Sequence, residues 1–158
     1  MGTLSEHFDW DDVTRSDKAA ALKINNVLPK DLGAVILNTS RGMERVRACL
    51  GKPIYIDSWY RCLELNRAVG SKDTSDHLKG RAVDFVSPKY GSSLQICDTL
   101  VKYKELIRFK QLILEHTWVH ISFDDPSVKP KLEVLSLLNG GKYALGLTNI
   151  KGEPYGIA

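Results

Sequence analysis

Ser75-Asp76-His77-Leu78-Lys79-Gly80-Arg81-Ala82-Val83-Asp84-Phe85 is the stretch whose reading decides the fold. His77 stands just before a glycine break, and Asp84 stands inside the strand that the run Ala82 to Val86 predicts, ended by Pro88. Side chains alternate along a strand, so Ala82, Asp84 and Val86 share one face and Val83 and Phe85 the other. An aspartate among Ala, Val and Phe is costly to bury unless something pairs with it, and a metal cation would do so.

Working outward, Trp118-Val119-His120-Ile121-Ser122-Phe123 alternates in the same way. Val119, Ile121 and Phe123 are expected in the core, with Trp118, His120 and Ser122 opposite. His120 therefore points into a site. A lone strand histidine is more often a hydrogen-bonded partner, and a lone aspartate often caps a turn. It is the conjunction of His77, Asp84 and His120 that points to metal. Two histidines and one aspartate leave a fourth tetrahedral position for water, the catalytic form of a site for one zinc ion.

The remaining elements follow from periodicity. Asp9 to Lys23 predicts one or two short helical turns, with Thr14 and Ser16 as caps. Pro29 opens a stronger helix, whose stripe is Leu32, Val35, Ile36, Met43, Val46 and Leu50, stopped by Gly51 and Pro53. Ile54 to Ser58 reads as a strand, and Leu63 to Val69 as a helical turn ending at Gly70. Leu94, Cys97, Leu100, Val101 and Ile107 mark another helix. Adjacent strands follow over Lys110 to Glu115 and Trp118 to Phe123, and a last helix is expected near Leu132 to Leu138, closed by Gly140 and Gly141. Helices and strands mix without regular alternation, so the class is α+β.

With 158 residues, 43% of them hydrophobic and 26% charged, the chain has the balance of a soluble globular protein, read as a single domain over 1–158. The charge of +3, from 22 basic and 19 acidic residues scattered along the chain, does not imply nucleic acid, though it allows weak attraction to an anionic polymer such as bacterial cell wall. No window reaches the length of a membrane span, and Met1 to Asp12 lacks the basic and apolar regions of a Sec signal peptide. The expectation is synthesis in the cytoplasm, with another route to any target outside it. Cys49, Cys62 and Cys97 are odd in number and form no C-x-x-C pair, which reads as reduced thiols, Cys49 and Cys97 packing in the core.

The pattern S-x-H-x-x-G-x-A-x-D of Ser75 to Asp84, with Trp118-Val119-His120 downstream, resembles the zinc D-Ala-D-Ala peptidase family. That family includes cell-wall carboxypeptidases, phage endolysins of the L-alanyl-D-glutamate type and the hedgehog signalling fold. Ser58-Trp59-Tyr60-Arg61 resembles the family's S-x-Y-R, and Asn66 to Gly70 its N-x-x-V-G. Leu4 to Phe8 and Thr14 to Ser16 look like the opening of small phage-type members. The likeness runs from about Leu4 to Gly146. It implies a small antiparallel sheet that bears the zinc site, with helices packed behind it.

The resemblance also implies roles. His77, Asp84 and His120 would bind zinc. Arg61 would hold the scissile carbonyl or a substrate carboxylate, and a planar guanidinium suits either task. Ser75 would hydrogen-bond substrate backbone, or serve as a turn cap. Many relatives carry an acid three residues before the last histidine, where this chain has Thr117. Some hedgehog-like and phage-type members place a glutamate at about the position of Glu115, which is therefore the expected general base, with His116 as the alternative. Trp59, Tyr60 and Trp118 flank these motifs as candidate cleft walls.

The expected function is zinc-dependent hydrolysis of amide bonds in peptidoglycan stem peptides. D-Ala-D-Ala carboxypeptidase, cross-link endopeptidase and L-Ala–D-Glu endopeptidase all stay open. The partner is then peptidoglycan peptide, the protein a monomer, and a phage-derived lysin would reach the wall by holin release or on the virion. The other class of function is an inactive, zinc-stabilised binding module or virion component, which Thr117 keeps open.

Overall fold

The computed structural model describes residues 2–155. In chain order the elements are α1 (Trp10–Thr14), α2 (Asp17–Leu22), α3 (Gly33–Leu50), β1 (Tyr55–Ser58), α4 (Leu63–Ala68), β2 (Ala82–Val86), α5 (Ser93–Lys102), α6 (Lys104–Ile107), β3 (Gln111–Leu114), β4 (Val119–Ser122), β5 (Glu133–Leu137) and β6 (Tyr143–Leu145). Short 3₁₀ turns occupy Lys30–Leu32 and Asp76–Lys79. The strands form one sheet in the order β1-β2-β4-β3-β5-β6. All neighbours are antiparallel except β3 and β5. This is an α+β fold with helices packed against a largely antiparallel sheet.

The alternation in β2 and β4 places the core as expected: Val83, Phe85, Val119 and Ile121 are fully buried, and Phe123 nearly so. Against this face lies α3, whose Ile36, Met43 and Val46 are also fully buried. Each such side chain contributes about 1.5–3 kcal/mol through the apolar area it removes from water. Close approach of helix to sheet depends on Gly42, where a Cβ would stand 2.5 Å from the Phe123 ring. Pro29 precedes the turn Lys30–Leu32, from which α3 continues, and Gly51 ends the helix at φ 65°.

Two local expectations are corrected. Ser16 caps α2, but α1 is capped by Asp9 in a reciprocal pair with Asp12, and Thr14 is simply its last residue. The segment from Leu132 to Leu138 is not a helix. Leu132 has φ +54°, which no right-handed helix admits, and β5 pairs residue by residue with β3, from Gln111↔Glu133 to Leu114↔Ser136. Ser136 is buried, donates to the Gly146 carbonyl and accepts from the Thr148 N–H, so β6 and the loop after it fold back on β5.

Candidate metal centre

Each ligand candidate arrives on a different element. Asp84 and His120 are direct neighbours across β2 and β4. His77 comes from the 3₁₀ turn that ends at Gly80. One ligand atom from each of the three lies within 4.8 Å of the others. His120 Nδ1 is 2.8 Å from Asp84 Oδ1, and His77 Nε2 is 3.3 Å from Asp84 Oδ2.

His77 is only 1% exposed, and its orientation is set from behind. Its Nδ1 lies 2.6 Å from the Trp59 carbonyl oxygen, an acceptor, so Nδ1 carries the proton and donates it. That leaves Nε2 with its lone pair aimed at the site. Nε2 is buried and has no hydrogen-bond partner among the described residues. A backbone carbonyl that fixes the tautomer of a ligating histidine is a usual support for a metal site. The 3.3 Å separation also matches the edge of a tetrahedron with ligands about 2.0–2.1 Å from its centre. The donor set therefore fits a zinc ion.

The electrostatics agree. Burial lowers the pKa of His77, which keeps the ring neutral and able to ligate. Burial alone would raise that of Asp84, but the two imidazoles beside it more than offset this and hold the carboxyl well below its usual range. Asp84 thus presents an anion and His77 a neutral nitrogen to the site.

The surrounding chain is braced to hold this geometry. The Trp59 indole donates to the Gly80 carbonyl at 3.0 Å, and the Thr39 hydroxyl donates to the same oxygen at 2.9 Å. The Arg61 N–H donates to the His77 carbonyl, tying the arginine loop to the metal loop. Asn26 clamps that loop, donating to the Thr14 and Tyr60 carbonyls and accepting from the Cys62 N–H. Lys110 and Asp76 form an ion pair at 2.8 Å directly beside His77.

Arg61, Ser75 and Glu115 line the same groove as the trio, a cleft of about 970 Å³. The Arg61 side chain donates to the Ser71 hydroxyl at 3.3 Å, and its buried Nε has no hydrogen-bond partner among the described residues. Ser75 Oγ accepts from the His77 N–H, so this serine caps the turn and also borders the cleft. Glu115 is 9% exposed, and burial raises its pKa. His116 and Thr117 are exposed and line a separate depression with Val86 and Ser92, so the structure does not bring His116 to the trio. Trp118 borders the cleft, whereas Trp59 and Tyr60 are buried in the core and form no wall.

Some contributors escape sequence reasoning. The Trp59 carbonyl is a backbone group with no residue signature. Asn26 sits in the short loop Ile24-Asn25-Asn26-Val27-Leu28 ahead of Pro29, which announces a turn and nothing more. Leu135, Leu137 and Tyr143 line the cleft from β5 and β6, which the helical reading of Leu132 to Leu138 hid. A second group, Glu6, His7 and Glu44, also has ligand-type atoms close together, but it is largely exposed and His7 is already ion-paired to Glu44 at 2.8 Å. The three thiols are free, and burial pushes that of Cys97 up.

No curated protein matches the chain. The family model described as Peptidase M15 matches residues 6–122, a span that contains His77, Asp84, His120, Arg61, Ser75 and Glu115 and stops before β5. Peptidase M15 is a family of zinc-dependent peptidases acting on peptidoglycan-type substrates. With most of its length matched, and with a His/Asp/His cluster on its sheet, this chain belongs to the peptidase M15 family.

Proposed function

We propose that this chain hydrolyses amide bonds in the stem peptides of peptidoglycan, with zinc held by His77, Asp84 and His120. The observation that carries the reading is the buried Nε2 of His77, oriented by the Trp59 carbonyl and left unpartnered beside Asp84 and His120. When bound, zinc polarises the scissile carbonyl and lowers the pKa of the attacking water.

The chain's own groups do the rest. Glu115, on the cleft and with its pKa raised by burial, takes the proton from the attacking water and returns it to the leaving amine. Arg61 lines the cleft, where its guanidinium pairs with a substrate carboxylate or the carbonyl oxygen. Ser75 borders the substrate backbone from the metal loop.

The test is digestion of purified peptidoglycan with and without a zinc chelator, with products read by mass spectrometry. Chelator-sensitive new termini support the peptidase and identify the bond. If zinc-loaded protein releases nothing from several wall types, the fold serves as a binding module.

A further inference from the structure

The register of the sheet sets one straight row of residues across the site face: Ser58, Asp84, His120, Ile113, Leu135 and Leu145. Asp84 and His120 lie toward the β1 end of that row, with His77 beside them on its 3₁₀ turn. Beyond it the row continues over β3, β5 and β6 with apolar side chains. A parallel row one step along leads from Glu115, which follows Leu114, to Leu137 and its partner Tyr143. Ile113, Leu135, Leu137 and Tyr143 all line the cleft. Tyr143 is 52% exposed and Leu145 80%, an apolar ledge left open at the surface.

Charge divides the cleft as well. Arg61, Lys72, Asp76 and Asp84 stand toward the β1 end and Glu115 near the middle, whereas the cleft lining from β5 and β6 is Leu135, Leu137 and Tyr143 with Gly141 between the strands; the one acid on that face of β5, Glu133, accepts from the Gln111 amide. Three strand steps separate β4 from β6, about 14 Å at roughly 4.8 Å each, the span of about four residues of extended peptide. A site that only trimmed a terminal residue would need none of this length.

We infer that the β5–β6 ledge is a substrate subsite: it receives uncharged peptide residues with apolar side chains, on the opposite side of the scissile bond from the carboxylate held by Arg61. This rests on the reading of the cleft as a peptide-hydrolysing site, and it makes the chain an endopeptidase that engages substrate on both sides of the bond. Leu135 and Leu137 cover the side chains, and the Tyr143 hydroxyl hydrogen-bonds the backbone. The ledge lies outside the residues 6–122 that match the family, so it belongs to this chain's own C-terminal part.

The experiment has two readouts. In the first, muropeptides isolated from digested wall are titrated into the zinc-loaded protein and backbone amide shifts are followed. Shifts are expected both at Ser71 to Asp76 and at Leu135 to Tyr143; shifts confined to the first segment overturn the ledge, whether or not any bond is cut. In the second, synthetic peptides are built around the bond that wall digestion identifies, ending at that bond or extended by three residues on either side. Wild type should gain in kcat/KM from extension both ways. Tyr143→Ala and, separately, Leu135→Ala should reduce the gain in one direction by about tenfold, the low end for loss of an apolar contact in a pocket. An unchanged ratio in both variants, or equal losses in both directions, overturns the subsite. Failure of wild type to cut any peptide refutes the hydrolytic reading, and the amide shifts then judge the ledge alone.

Discussion

Gly80→Ala is the substitution that most sharply tests how the metal loop is held. Gly80 ends the 3₁₀ turn that carries His77, and its φ of +70° lies in the left-handed region. A residue with a Cβ pays about 1–2 kcal/mol to sit there. The added methyl would also stand 2.6 Å from Ile36 Cδ1, far inside contact distance. Ile36 is fully buried on α3, so its terminal methyl can swing aside only into space already filled, which costs roughly 1–2 kcal/mol more. The sum is about 2–4 kcal/mol, and for a chain of this size it corresponds to a fall in Tm of roughly 5–15 °C. Urea unfolding of the metal-free protein measures it. Ile36→Val removes the clashing Cδ1 and alone costs about 0.5–1.5 kcal/mol. Combined with Gly80→Ala it should recover the steric part, so the two changes should be non-additive by about 1 kcal/mol. Gly80→Ala within about 0.5 kcal/mol of wild type, or strict additivity in the double variant, would refute the reasoning.

Three further outcomes are expected. Glu115→Gln should lower kcat by about 10²–10⁴ while bound zinc stays at the wild-type level, read from hydrolysis rates and metal analysis together; full activity would remove Glu115 as base. The same variant has a pH signature in the metal-free protein. Because burial raises the Glu115 pKa above its unfolded value, its contribution favours folding at acid pH and is lost as pH rises through the folded pKa. Glu115→Gln should therefore gain stability relative to wild type between pH 4 and pH 8, and a difference that stays constant over that range would contradict this. Asn26→Ala removes three hydrogen bonds from the Arg61 loop and should cost about 2–3 kcal/mol in chemical denaturation, with a loss below 0.5 kcal/mol showing that the clamp is dispensable.

How much of this was legible in the chain varied with the range of the interaction involved. The strands β2 and β4 announce themselves because one face meets the core and the other meets the site, so Val83 and Phe85 alternate with Asp84, and Val119 and Ile121 with His120. Strand β5 does not, because both of its faces are at least partly covered: Val134 packs on the core while Leu135 and Leu137 line the cleft. Alternation is lost in such a strand, and leucines at 132, 135 and 138 imitate a helical stripe. What makes it a strand is pairing with β3, more than twenty residues earlier in the chain. The site residues on the matched motifs could be named in advance, whereas the choice between Glu115 and His116 needed the cleft itself. The turn between β3 and β4 carries His116 and Thr117 out toward α5, and Glu115 remains on the cleft. Backbone groups such as the Trp59 carbonyl leave no trace in residue identity at all.

The most direct test of the account is anomalous diffraction at the zinc edge from crystals soaked in zinc. One strong peak within about 2.0–2.2 Å of His77, Asp84 and His120 is the predicted result. Absence of density there, or a peak only at the exposed Glu6, His7 and Glu44 cluster, would contradict it.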